Sequence, residues 1–208
     1  MGEIAQGVVY GLVAEIIVML IVIVIAKVKN SSLFMIFAAS KIFGHGIEYV
    51  YKEQRDASKD ILKDIESSTT VKLLCMRGRS FIQTDAELSQ ILEKRNLTIQ
   101  YLVLDPDSQF VQKRADELNK QNYKQELETN ISDLKTQTQG KANVAKRIHD
   151  QPPVFRLLIL DNRIYFSFFE KNKLGSQLPV FRAKDSSPIY KGLVRYYEYI
   201  WGISKKLV

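Results

Sequence analysis

The chain has 208 residues, 25% of them charged, and a formal net charge of +7, enough for one ordinary water-exposed domain plus an appendage. Its one cysteine, Cys75, excludes an internal disulfide and any cysteine-rich metal site, and its apolar neighbours mark it as a small core residue. Glu3 and Glu15 cancel Lys27 and Lys29, so the positive surplus lies beyond residue 32. It suits anionic partners such as lipid headgroups, nucleotides or nucleic acid, and equally a solvated surface beside an anionic membrane.

Residues 7–28 are apolar except for Glu15 and Lys27, with an unbroken run of eleven apolar residues over 16–26. A helix crossing a bilayer core needs about 20 residues, which 7–26 supplies. Ile and Val form helices poorly in water, but in lipid the backbone must satisfy itself, so helix is expected. A cleaved leader fits less well, because no basic stretch precedes the run and no small-x-small site follows it. Residues 1–30 are therefore expected to be a retained single-pass anchor. Lys27, Lys29, Lys41 and Lys52 follow the span while the preceding tail holds only Glu3, which places the C-terminal part on the cytoplasmic side of the inner (plasma) membrane.

Glu15 is the one carboxylate inside that span. Either it lines a helix bundle or pore in an oligomer, or it sits near the outer headgroups, protonated or snorkelling. Gly7 and Gly11 have the small-xxx-small spacing that lets helices approach closely, so self-association through Gly7, Gly11 and Glu15 is expected.

Residues 31–66 read as an amphipathic and then stalk helix. Ser31–Ser32 caps an apolar start, Lys41, His45 and Glu48 make a second crossing costly, and Ala57, Ile61 and Ile65 recur every four residues. The other reading is a two-span hairpin, which would reverse the side on which the domain lies. His45, between two glycines, reads as an interfacial residue rather than a ligand.

The polar break Ser67–Ser68–Thr69–Thr70 sets the expected boundary of a domain over 67–208. Residues 71–76 read as a buried strand, 84–95 as a helix and 98–104 as a second strand, the βαβ pattern of a parallel pair. Arg77–Gly78–Arg79–Ser80 and Asp105–Pro106–Asp107–Ser108 follow the two strands and should line one crevice at their carboxyl ends. Two polar helices over 109–143 and a short strand over 144–149 come next. Residues 154–166 then form a hairpin around Asp161–Asn162, followed by a loop with Gly175 and a strand over 178–183. Ser187–Pro188 starts a last helix with the apolar stripe Ile189, Leu193, Tyr197, Ile200 and Trp201.

The succession Arg77–Gly78–Arg79–Ser80, Leu102 to Ser108, Pro152–Pro153–Val154–Phe155–Arg156 to Asp161, Pro179–Val180–Phe181–Arg182 and the aromatic final helix resembles phospholipase D-like domains over about residues 70–204. It is similar to the small non-catalytic branch attached to bacterial regulators and defence proteins. The resemblance implies an α/β fold: a mixed sheet flanked by helices, behind the anchor and stalk.

The catalytic branch uses His-x-Lys-x-x-x-x-Asp. Aligning its aspartate with Asp161 puts Arg156 at the lysine and Val154 at the histidine. Valine cannot attack phosphorus, so no catalytic residue is expected, whereas a planar guanidinium suits phosphate binding without turnover. His149 precedes Pro152–Pro153 and has Gln151, not lysine, two residues on.

The expected function is a membrane-anchored sensor or effector, of the layout of bacterial membrane-damaging anti-phage effectors. Its domain would bind an anionic ligand such as a nucleotide, or a protein partner, through Arg77, Arg79, Asp105, Arg156 and Arg182, and control assembly of the membrane helices. The alternatives are a membrane-bound phosphodiester hydrolase and a scaffold that recruits a cytoplasmic partner to the bilayer. No metal or cofactor is expected. Nucleic acid ranks low as a partner, because few aromatics are interleaved with the basic residues.

Overall fold

The computed structural model describes residues 46–76 and 97–207. Their elements are β1 (Ile47–Tyr51), α1 (Gln54–Glu66), β2 (Thr70–Cys75), β3 (Thr98–Leu104), α2 (Gln109–Leu118) and α3 (Tyr123–Gln137). Then follow β4 (Val144–His149), β5 (Phe155–Leu160), β6 (Arg163–Phe168), β7 (Val180–Lys184), α4 (Pro188–Ile203) and β8 (Lys205–Lys206). All eight strands join one sheet in the order β1-β7-β6-β5-β2-β3-β4-β8. β2, β3 and β4 run parallel, while every other neighbouring pair is antiparallel.

Helices cover both faces, and strand alternation sorts the core accordingly. Leu158 and Leu160 of β5 join Val71, Leu73, Tyr101 and Val103 under α1, α2 and α3. Leu157 and Ile159 turn the other way, onto Leu193, Tyr197 and Ile200 of α4. The runs of Leu, Ile and Val in β2, β3 and β5 reflect strands buried on both faces. Two helix starts follow their capping residues: Ser108 accepts from the Phe110 amide at 3.2 Å and Ser187 from the Tyr190 amide at 3.2 Å, with Pro188 in the first turn of α4.

The expected stalk over 31–66, with a domain beginning at 67, is not what residues 46–66 form. Ile47–Tyr51 is an edge strand paired with β7. Ala57, Ile61 and Ile65 of α1 are buried in the same core as β2 and β3. Their four-residue spacing reported an apolar face correctly, but periodicity does not say what that face meets. The folded unit therefore includes residues 46–66. Residues 31–45, the anchor with Gly7, Gly11 and Glu15, and the helix expected over 84–95 lie outside the described residues. Among the described residues no helix is long and apolar enough to cross a membrane.

Two local contacts, one at an edge of the sheet and one at its central seam, fix where strands sit. Gly46 has φ +80, and a Cβ there would lie 2.0 Å from the Cβ of Ser187, so β1 enters the sheet pressed against the cap of α4. Replacing Gly46 with alanine forces both a left-handed alanine and a backbone shift, and should destabilise the fold by about 2 kcal/mol or more in urea unfolding.

At the seam where parallel β2 meets antiparallel β5, the turn residue Asp161 reaches the start of β2. Its Oδ2 accepts from the Thr69 amide at 2.6 Å and the Thr69 hydroxyl at 2.8 Å, and its Oδ1 from the Thr70 amide at 3.0 Å. Partial burial pushes the carboxyl pKa up, but the Thr69 and Thr70 bonds outweigh it and hold the group below the usual carboxylate range. A depressed folded pKa means that the contribution is present above about pH 4 and lost as pH falls through the folded value. Asp161→Asn should cost about 1 kcal/mol at neutral pH, a modest figure because the site is open to solvent, and the gap from wild type should narrow below about pH 4 in unfolding curves.

Candidate functional site

Arg156 sits in the second position of β5, on the face that also holds Leu158 and Leu160, and is 9% exposed. Its Nη1 donates to the side-chain oxygen of Gln54 at 2.6 Å, and among the described residues no carboxylate forms an ion pair with it. Burial lowers its pKa to about 10, with a small opposing effect from Cys75, so it remains charged at neutral pH. A guanidinium has five N–H donors, and one neutral amide oxygen is a small complement for a buried one.

Three features surround this cation. Gln54 is the first residue of α1, a helix of 13 residues whose N-terminal end is therefore brought to the guanidinium. That end carries partial positive charge and unbonded amides. Across the β5–β6 register Arg156 faces Ser167, which is fully buried and whose Oγ has no hydrogen-bond partner among the described residues. Gly175 lies against the third side: a Cβ placed there would stand 3.5 Å from Nη1 of Arg156.

The loop carrying Gly175 is positioned by a second buried arginine. Arg114 of α2 is 4% exposed and donates to the Glu170 carbonyl at 2.9 Å, the Lys173 carbonyl at 2.7 Å and the Glu117 carboxylate at 2.7 Å. Its guanidinium also stands 5.4 Å from the centre of the Phe169 ring. Asn172 supplies the turn with φ 64, and its amide donates to the Glu117 carbonyl at 3.1 Å. Arg114 is thus a positioning residue for the loop over Arg156.

The other expected ligand residues do not converge on this place. Arg77 and Arg79 lie outside the described residues. Asp105 ends β3, two strands from β5, and accepts from the Asp107 amide at 3.0 Å in a local turn. Arg182 shares the Arg156 face but is engaged by Asp60 at 3.2 Å and Glu48 at 3.4 Å. Burial draws the Arg182 pKa down, and bonding to Tyr165 with the nearby Tyr51 and Asp60 more than offsets this, so the net shift is upward. Around it, the Tyr165 hydroxyl donates to Asp64 and that of Tyr51 to Asp60, both on α1. Arg182 therefore docks α1 and β1 onto the sheet.

His149 ends β4, is buried and is held neutral: burial lowers its pKa to about 4 against the opposing pull of Asp150, Asp105 and the Gln151 amide. Its Nδ1 accepts from the Gln151 amide at 3.2 Å. It lies on β4, three strands from β5 in the sheet, and not beside Arg156. Val154, at the head of β5, is 46% exposed and offers neither nucleophile nor proton donor. Among the described residues no group of histidine, cysteine and carboxylates is placed to hold a metal.

No protein-family model matches the chain, and no curated protein matches it. Among solved structures it is similar to TrmBL2, an archaeal chromatin protein with a novel mode of DNA binding, at 13% identity and TM-score 0.48 over 99% of this chain and 71% of that one. It is also similar to Nuc from Salmonella typhimurium, a phospholipase D family member, at 9% identity and TM-score 0.49, over 76% of this chain and 96% of that one. NucT from Helicobacter pylori has 13% identity and TM-score 0.47, over 76% of this chain and 98% of that one. These likenesses concern the fold alone.

Sequence reasoning singled out Arg156 but not Gln54, Ser167, Gly175 or Arg114. Gln54 is 102 residues from Arg156 in the chain, and nothing local marks the pairing. A serine at a strand position between two phenylalanines was the one available signal, since a polar residue there must find a partner or wait for one. Replacing Arg114 with methionine removes the bonds that hold the loop. It should destabilise the domain by about 3 kcal/mol and expose residues 170–177 to limited proteolysis before global unfolding.

Proposed function

We propose that the folded unit is a non-catalytic, phospholipase D-like domain that captures an anionic ligand bearing a phosphate-like group, with Arg156 as the principal contact. The observation that carries this reading is a buried cation whose only side-chain acceptor among the described residues is the neutral Gln54, beside a buried Ser167 hydroxyl with no partner. The N-terminal end of α1 brings its free amides and helix dipole to the same place, partly offset by Asp56 in its first turn. An entering oxyanion would accept from the Arg156 fork and from Ser167, matching charge and hydrogen bonds together.

The phospholipase D-like part of the reading rests on the order of the sequence motifs and on the mixed sheet with helices on both faces. The chain's apolar residues 7–28 supply the membrane anchor. Ligand capture in the domain then biases assembly of the membrane helices through Gly7, Gly11 and Glu15, as in a membrane-disrupting bacterial anti-phage effector.

The test uses the full-length chain with inorganic phosphate and with nucleoside monophosphates as probes, read by thermal shift and calorimetry. Arg156→Gln should weaken binding at least tenfold, about 1.5 to 3 kcal/mol for a charged hydrogen-bond pair. Ser167→Ala should weaken it several-fold while leaving the stability of the ligand-free chain nearly unchanged, since the hydroxyl there has no partner to lose. Binding that is indifferent to both substitutions overturns the assignment of the site. Turnover of a phosphodiester such as bis-p-nitrophenyl phosphate by the wild-type chain, lost in His149→Ala, would restore the hydrolase reading.

A further inference from the structure

The second edge of the sheet, at β4 and β8, has a different character from the rest of the surface. Lys135, Lys141, Lys146 and Arg147 fall in residues 134–149, which contain no carboxylate, and Lys205 and Lys206 follow Glu198, the last acidic residue of the chain. The fold brings the two segments together. β8 pairs antiparallel with β4, setting Lys206 opposite Arg147, and the Leu207 amide donates to the Lys146 carbonyl at 3.0 Å.

None of these six basic residues forms an ion pair among the described residues, whereas several basic residues elsewhere do. Lys120 pairs with Glu126 at 2.6 Å, Lys124 with Asp107 at 2.7 Å and Lys173 with Glu170 at 2.6 Å. On α1, Lys59 and Lys63 alternate with Asp56, Asp60 and Asp64. The flanking acids give little relief at the edge: Glu198 is held by Lys72 at 2.5 Å, and Asp133 already has an interaction. Part of the edge is recessed. An open cavity of about 600 Å³ is lined by Lys135, Lys141 and Lys146 together with Thr136, Thr138 and Gln139. On the other face of β4 the Arg147 guanidinium lies 4.7 Å from the centre of the Trp201 ring and donates to the Trp201 carbonyl.

We infer that the β4–β8 edge is a nucleic-acid-binding surface that takes the sugar-phosphate backbone. A line of unmatched cations along a strand edge fits a linear polyanion, and hydroxyl and amide side chains in the recess fit sugar and phosphate oxygens. A lipid surface is a plane and favours basic residues spread over one face with apolar side chains to insert. Here the cations run into a polar recess. This surface lies on β4 and β8, away from Arg156 on β5, so it stands or falls separately from the anion site.

The experiment titrates the purified full-length chain into a fluorescein-labelled single-stranded DNA of about 20 nucleotides, from about 50 to 200 mM salt. Binding should be strong at low salt and fall steeply as salt rises. Lys205→Glu with Lys206→Glu should weaken it at least tenfold, and the milder Lys205→Gln with Lys206→Gln should lower the salt slope by roughly 0.7 per lost contact. Both β8 pairs are exposed and should leave the melting curve unchanged. Lys59→Glu with Lys63→Glu on α1 is the matched control and should leave binding intact, as should Arg156→Gln. No binding at low salt, an equal loss in the α1 control, or binding to phosphatidylserine vesicles that the Lys205→Glu with Lys206→Glu pair weakens while oligonucleotide binding is unaffected, each overturns the inference.

Discussion

Strand β5 is held at both ends by charge, and the rest of the fold is arranged around it. At its carboxyl end the Asp161 turn takes three hydrogen bonds from Thr69 and Thr70. At its amino end Arg156 is buried under the first turn of α1. Between them four leucines and isoleucines alternate onto the two cores. β5 is also where the parallel half of the sheet meets the antiparallel half. Slipping it by one residue would exchange the two core faces and carry both charged ends away from their partners, so its register is fixed from three directions.

This arrangement explains why α1 belongs to the domain. Its buried stripe supplies apolar contact, but its placement along the sheet is set by polar contacts at three points: Gln54 on Arg156, Asp60 on Arg182 and Tyr51, and Asp64 on Tyr165. These lie along a helix of 13 residues, one at its first residue and two a turn apart in its second half. A hydrophobic stripe alone would tolerate sliding by one turn. The polar contacts do not, and they tie the position of α1 to the geometry around Arg156.

The strands were legible because their buried runs of Leu, Ile and Val are bounded by polar turns, and the parallel pairing of β2 and β3 followed from their separation. The helix stripe Leu193, Tyr197 and Ile200 was legible for the same reason. What misled was α1. Its charged exterior and four-residue stripe describe a self-associating stalk and a sheet-covering helix equally well, and only the strand before it decides between them. Ile47–Tyr51 was hard to see as a strand because Glu48 sits among apolar residues. Glu48 finds its counter-charges on Arg163 at 2.9 Å and Arg182, both far along the chain. The basic edge was missed for a related reason: it is built from two segments about sixty residues apart, each too short to stand out.

Two other arginines on the α1–α2 side, Arg114 and Arg182, provide an internal comparison for what Arg156 does. Arg114 is matched by a carboxylate and two carbonyls, and Arg182 by ion pairs with two carboxylates and by a tyrosine hydroxyl, although its Nε has no hydrogen-bond partner among the described residues. Those are the complements that folding alone calls for, because taking a guanidinium out of water costs several kcal/mol unless its donors are met. Arg156 has the same chemistry, yet among the described residues it meets one amide oxygen, and its neighbour Ser167 meets nothing. Leucine or methionine at 156 would fill the space beside Leu158 at lower cost if packing were the requirement. A fixed cation left partly unmatched among the described residues, beside an unused hydroxyl and a helix start, is what the proposed capture of an oxyanion rests on.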